Sequence, residues 1–235
     1  MCADCLNSPQ PLLAAHFCRS CHTPFSNPFP LDENGLCHLC AGGMRGFDHA
    51  YSYGSYEGPL RKLIHLFKYS GMKPLGKRLA GLLSRALPDE AVEGFDVGFD
   101  AVVPMPLHWR RRWRRGFNQS EILARLVAKE RRILVLNAVK RVRATAVQAG
   151  LTNSNRRKNV AGAFRVSRKT QVAGKRILLI DDVMTTGATA AACASALKRA
   201  GARSVTLLTL ARVDRRLAPL ESTAMKRSAS KEKQR

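Results

Sequence analysis

The sequence predicts an α/β fold: a central, mostly parallel sheet flanked by helices, with a cysteine-rich segment toward the N-terminus. Three observations predict it. The apolar runs at 177–180 and 204–210 have the length of strands buried on both faces. The alanine-rich stretch between them, through Leu197, reads as a helix that ends near Gly201, giving a strand–helix–strand unit. Six of the seven cysteines form three C-x-x-C pairs before residue 41. The expected organisation is a cysteine-rich segment at 1–45, an α/β body at 46–213, and a polar, basic tail at 214–235 that reads as disordered.

In the first segment, Cys18-x-x-Cys21 and Cys37-x-x-Cys40 are separated by fifteen residues that include three prolines and a glycine. That spacing fits a closed, four-thiolate structural zinc site, a zinc ribbon. His16, His22 and His38 lie nearby, but four cysteines complete a tetrahedron without them. Cys2-x-x-Cys5 has no second pair of its own and is left out of the expected metal set. No secretory leader precedes the cysteines, and no apolar run reaches membrane-spanning length. A cytoplasmic setting is therefore expected, with reduced thiols and no membrane insertion. The chain carries 40 Lys and Arg against 17 Asp and Glu, a net charge of +23, so its partner is expected to be anionic.

The body opens with the aromatic alternation HAYSYGSY, a strand signal broken by Gly58-Pro59. Apolar residues at 60, 63, 64 and 67 make a helical stripe that leaves Arg61, Lys62 and Lys68 outside, and His65 reads as a half-buried helix residue. A second helix is expected over 75–87, then a linker through residue 98. DAVVPMP at 100–106 reads as a strand entering a proline-bounded turn. The turn at 107–120 carries five arginines and two tryptophans, and a helix follows over 122–130. Guanidinium forks match phosphate oxygens, so this arginine turn is a candidate anion trap. Valines near 139–142 suggest a further strand. Beyond it a Gly-, Asn-, Thr- and Arg-rich stretch reads as a loop before Ala163-Phe164, and as a candidate lid.

The stretch 176–201 carries the chemistry. Asp181 and Asp182 sit at the carboxyl end of a strand, where open α/β sheets place ligands. Thr185, Thr186, Gly187, Ala188 and Thr189 then lead into a helix. Adjacent carboxylates accept hydrogen bonds from vicinal sugar hydroxyls. A hydroxyl- and amide-rich bend at a helix N-terminus holds a phosphate. The chain contains no Walker loop and no G-x-G-x-x-G. A phospho-acceptor receiver domain also ends a strand in Asp-Asp, but needs catalytic residues well downstream, and here only Asp214 follows among aspartates.

This run resembles the signature of type I phosphoribosyltransferases, which bind phosphoribosyl pyrophosphate (PRPP). The full pattern adds the cysteine pairs, LIHLFKYSG, PMPLHWRRRWRRGFNQS and T-x-x-Q-x-x-L-x-x-x-x-R-x-x-N-V-x-x-A-F. Together these resemble the ComF family, phosphoribosyltransferase-like proteins linked to DNA uptake in bacterial competence. The resemblance implies a type I phosphoribosyltransferase fold. It implies ribose contacts for Asp181 and Asp182, which would also stabilise a ribosyl cation, and a 5′-phosphate loop at residues 185–189. Pro106, Leu107, Arg111 and Arg115 would line a pyrophosphate loop, and Thr145, Gln148, Arg156 and Asn159 a flexible loop. Mg²⁺ would arrive on the substrate's own oxygens. Two functions remain open at this point. One is transfer of ribose 5-phosphate from PRPP, or a related ribose phosphate, to an acceptor. The other is a non-catalytic module binding single-stranded DNA or RNA, favoured by Trp109 and Trp113 among arginines. No glutamine-hydrolysing nucleophile stands out, since Cys2 sits in a metal-type pair.

Overall fold

The computed structural model describes residues 8–43, 46–88, 98–143, 162–167 and 169–213, without the side chains of Arg111 and Arg114. Cys2, Cys5, the flexible-loop residues Thr145, Gln148, Arg156 and Asn159, and the 214–235 tail lie outside the described residues.

The cysteine segment is built from two short antiparallel strands, β1 (His16–Phe17) and β2 (Pro24–Phe25), and a single helical turn, α1 (His38–Ala41). The body follows as β3 (His49–Ser55), α2 (Gly58–Tyr69), α3 (Leu75–Ser84), β4 (Ala101–Pro104), α4 (Trp109–Arg115), α5 (Gln119–Arg131) and β5 (Leu134–Val135). A small antiparallel hairpin, β6 (Val139–Arg141) with β7 (Phe164–Val166), flanks the undescribed loop. β8 (Arg176–Met184), α6 (Ala188–Arg199) and β9 (Ser204–Arg212) complete the chain. The central sheet is five-stranded, all parallel, in the order β3-β9-β8-β4-β5.

Period-two alternation sorts the core into two layers. Leu178 and Ile180 of β8 join Val102, Leu208 and Leu210 against the apolar stripes of α2, α3 and α5. Ile177 and Leu179 face the other way with Val103, Val205 and Leu207, against α6, the β6–β7 hairpin and the cysteine segment. All four residues of the 177–180 run have no exposed surface, which matches a strand buried on both faces.

The strand order places the site. From β4 the chain crosses outward to β5, whereas from β8 it crosses the other way to β9. β4 and β8 therefore flank the point where the winding direction reverses, and a crevice opens at their carboxyl ends. Pairing between them stops at Pro104 and Ile180, while β8 continues beside β9 to Met184 and Arg212. From Asp181 onward, β8 has lost its neighbour on one side.

Three local expectations change. Gly58 and Pro59 start α2 rather than merely break a strand, since proline suits the first helical turn. The arginine turn contains a helix, α4, capped by His108, whose Nδ1 accepts from Arg110 N at 3.4 Å, and closed by Gly116. His65 is exposed rather than half-buried, with its ring 4.8 Å from that of Tyr69.

Candidate functional site

A cavity of about 220 Å³ lies at the β4/β8 reversal. Its walls bring together Asp181, Asp182, Thr185, Gly187 and Thr189 from the β8–α6 connection, Pro106 and Leu107 from the β4 exit, and Arg115 from α4. Residues expected from separate stretches of sequence thus meet in one concavity. Thr186 and Ala188 are not in its lining. The Thr186 hydroxyl accepts from Ala188 N at 3.2 Å and braces the start of α6. Gly187 is the N-cap with φ 76°, a left-handed conformation that glycine adopts without a Cβ penalty. The first turn of α6, the positive end of its dipole, follows directly.

The two carboxylates differ in environment. Asp182 has the strand parity of Leu178 and Ile180, the face covered by α2, and there its Oδ1 meets Lys68 Nζ at 2.9 Å. Asp181 has the opposite parity. Its Oδ1 accepts from Ser120 Oγ at 3.1 Å and from Asp182 N at 2.9 Å. Burial, then the adjoining Asp182 charge, pushes the Asp181 carboxyl up to about 7, although it keeps some exposure to the cavity. Burial alone would lower the Lys68 ammonium, but Asp182 and then Asp181 outweigh it, so its pKa is raised.

Three buried polar residues at the start of α5 fix this geometry. Asn118 caps the helix by accepting from Ser120 N, and its Nδ2 donates to Met105 O at 3.1 Å at the β4 exit. Gln119 accepts from Arg115 Nη1 at 3.1 Å and donates to Lys68 O at 3.5 Å. Ser120 reaches Asp181. Arg115 also donates to Tyr69 OH and lies 4.9 Å from the centre of that ring. Sequence reasoning missed Ser120, Lys68 and Arg141. Lys68 falls on the polar side of its helical stripe, and only the tertiary position of the last α2 turn brings it to β8. Arg141, at the end of β6, lines the cavity and lies 5.5 Å from the Phe164 ring centre. The tryptophans of α4 stand apart from the cavity lining, 65% and 87% exposed for Trp109 and Trp113, with the Arg110 guanidinium 5.3 Å from the Trp109 ring.

The second constellation is the cysteine cluster. The Sγ atoms of Cys18, Cys21, Cys37 and Cys40 lie within 4.8 Å of one another, and Cys21 and Cys37 are 3.7 Å apart. A tetrahedral thiolate site with bonds of about 2.3 Å needs sulfurs about 3.8 Å apart, so the donor set fits a metal such as zinc. Cys37 N donates to Cys18 Sγ at 3.3 Å, as expected where a sulfur carries negative charge. Within the cluster, the Cys21 hydrogen bond raises the Cys18 thiol, but those from Cys37 and Cys40 prevail and hold it at about 6. Cys37 and Cys40 are pushed up, chiefly by Cys18 and Cys21. His22 takes no part. It stacks on Phe17 with centroids 4.1 Å apart, and burial and then Arg212 lower its pKa. Arg212, at the end of β9, donates to Cys21 O at 3.0 Å and to Thr23 Oγ1 at 2.6 Å, tying the knuckle to the sheet.

A parallel sheet with an acidic pair and a glycine-capped bend at its reversal point defines a phosphoribosyltransferase-type domain. The phosphoribosyl transferase domain family matches residues 114–232. The similarity extends further in competence protein F of Haemophilus influenzae, 34% identical over 178 residues, 75% of this chain and 78% of that protein. DNA utilization protein YhgH of Salmonella typhimurium is 34% identical over 197 residues, 83% of each chain. The chain belongs to this competence protein F/YhgH family of phosphoribosyltransferase-domain proteins. Among solved structures, it is similar to the glutamine PRPP amidotransferase of B. subtilis complexed with ADP and GMP, at 21% identity and a TM-score of 0.35. That alignment covers 57% of this chain and 25% of the amidotransferase. No helix among the described residues is long and apolar enough to cross a membrane.

Proposed function

We propose that the cavity binds PRPP with Mg²⁺ and that the chain transfers ribose 5-phosphate to an acceptor. The observation that carries this reading is the single concavity shared by the two carboxylates and the bend at the N-terminus of α6. Asp181 and Asp182 accept the ribose hydroxyls. The 185–189 bend receives the 5′-phosphate through hydroxyls, backbone N–H groups and the positive end of α6. Arg115, with Pro106 and Leu107 beside it, faces the pyrophosphate, and Arg141 adds positive charge to the wall. Mg²⁺, held by substrate oxygens, would neutralise part of the leaving group's charge. In the transfer, the bond from C1 of the ribose to pyrophosphate breaks with its electron pair leaving on oxygen. A nucleophile bonds to C1 and gives up its proton. The carboxylates stabilise the positive charge that develops on the sugar. The four cysteines hold Zn²⁺ as a closed structural site.

Calorimetry with PRPP and Mg²⁺ tests the reading. The wild-type protein should bind, and Asp181→Ala combined with Asp182→Ala should abolish binding while the protein stays folded by circular dichroism. Wild-type protein that gives no heat with PRPP would refute it.

One observation favours a second reading, single-stranded nucleic-acid binding. Trp109 and Trp113 are four residues apart on α4, hence on one face, and both are exposed. Bases stack on such rings while neighbouring arginines meet phosphates. This reading expects oligonucleotide binding that falls steeply with salt and depends on both tryptophans but on neither aspartate.

A further inference from the structure

Each carboxylate of the acidic pair has one oxygen secured by the protein. Asp181 Oδ1 is held by Ser120 Oγ and Asp182 N, and Asp182 Oδ1 by Lys68 Nζ. Both carboxylates also line the cavity, where they can accept from a ligand. The securing groups come from different helices, α5 for Asp181 and α2 for Asp182.

We propose that Lys68 is a positioning residue for sugar recognition: it grips Asp182 by Oδ1 and fixes that carboxylate beside Asp181 so that it can accept a ribose hydroxyl. The inference rests on the ribose-phosphate reading of the cavity.

The placement of Lys68 is built rather than incidental. Its side chain is only 12% exposed, where an unpaired ammonium would be costly. Its carbonyl accepts from Gln119, and the next residue, Tyr69, accepts from Arg115, so the corner between α4 and α5 fixes the last turn of α2 at two points. The hold on Asp182 matters because adjacent like groups repel, and a cation fixed against one of them sets its orientation toward the cavity. Among the described residues, the ionisable groups around the pair include Lys68 on α2, Arg115 on α4, Arg141 on β6, Cys193 on α6 and Tyr56 after β3. Lys68 is in direct contact with a carboxylate of the pair.

The test uses the full chain as wild type, Lys68→Met, Asp182→Asn and the double variant. PRPP–Mg²⁺ affinity is measured by calorimetry, and aspartate ionisation by ¹³C carboxyl titration. Lys68→Met should keep the wild-type fold by circular dichroism, weaken PRPP binding about tenfold to a hundredfold, and move the Asp181 titration upward, since the Lys68 charge lowers it. On the Asp182→Asn background it should change affinity little further, because its effect runs through Asp182. Lys68→Gln repeats the comparison with a polar side chain if the Met variant misfolds. Wild-type affinity and unmoved carboxyl titrations in the Lys68 variants would overturn the proposal. If wild-type protein fails to bind PRPP while the Lys68 variants still shift the titration, the ligand reading falls and the grip of Lys68 on Asp182 stands. If neither is seen, both fall.

Discussion

The four thiols and the two carboxylates are both crowded sets of like groups, yet one is closed and the other open. The cysteine sulfurs face one another, three of the four residues are buried, and the surrounding bonds, from Cys37 N to sulfur and from Arg212 to the Cys21 carbonyl, tighten the cluster. The aspartates each spend one oxygen on the protein and face a cavity with the rest. A closed set suits a structural ion and contributes stability. An open set keeps part of its hydrogen-bonding capacity for a ligand and costs stability, since burial resists the charge that Asp181 must carry.

With zinc held by the four cysteines as proposed, its removal separates the two regions most strongly. Chelation, or Cys21→Ser, should cost several kcal/mol and lower the melting temperature by about 10 °C or more, because metal binding is folding energy for such segments. Metal content measured beside the melt checks it, and an unchanged melt after complete zinc loss would break the contrast.

The acidic pair should show the opposite signature, in pH. Asp181 has a folded pKa raised to about 7 from an ordinary carboxylate value. The folded state therefore holds a proton that the unfolded chain has already released. The stabilising contribution is complete below the unfolded pKa and is lost as pH rises through about 7. Denaturant midpoints should decline across that window with a slope of up to about 1.4 kcal/mol per pH unit. Asp181→Asn should flatten the decline.

Gly187→Ala probes the bend beside the pair. It forces a side chain into the left-handed region, φ 76°, and should cost about 1–2 kcal/mol while weakening PRPP binding. Equilibrium unfolding and calorimetry read the two effects. The smallest stability effect belongs to Trp113→Ala, expected within about 0.5 kcal/mol because the ring is 87% exposed. Its influence on oligonucleotide binding, on the order of 1–3 kcal/mol if a base stacks there, decides the second reading.

Much of this contrast was legible in the sequence because its signals are local. Two C-x-x-C pairs state their own chemistry, and the apolar run, acidic pair and TTGAT bend between 177 and 189 describe a strand, a turn and a helix start. What escaped depends on tertiary position. Lys68 obeys the polar side of its helical pattern, yet the end of α2 delivers it to Asp182. Ser120 reads as an ordinary first-turn residue until α5 is docked on β4 and β8. The arginine turn hid α4, because charge density there speaks of phosphate and not of backbone. β5 is two residues long, below what periodicity can register.

A crystal structure of the protein with PRPP and Mg²⁺ tests the central claim most directly. The account predicts Asp181 Oδ2 and Asp182 Oδ2 within hydrogen-bonding distance of the 2′- and 3′-hydroxyls, the 5′-phosphate against residues 185–189, and Lys68 still bonded to Asp182 Oδ1. A phosphate bound elsewhere, or a sugar that leaves both carboxylates untouched, would contradict it.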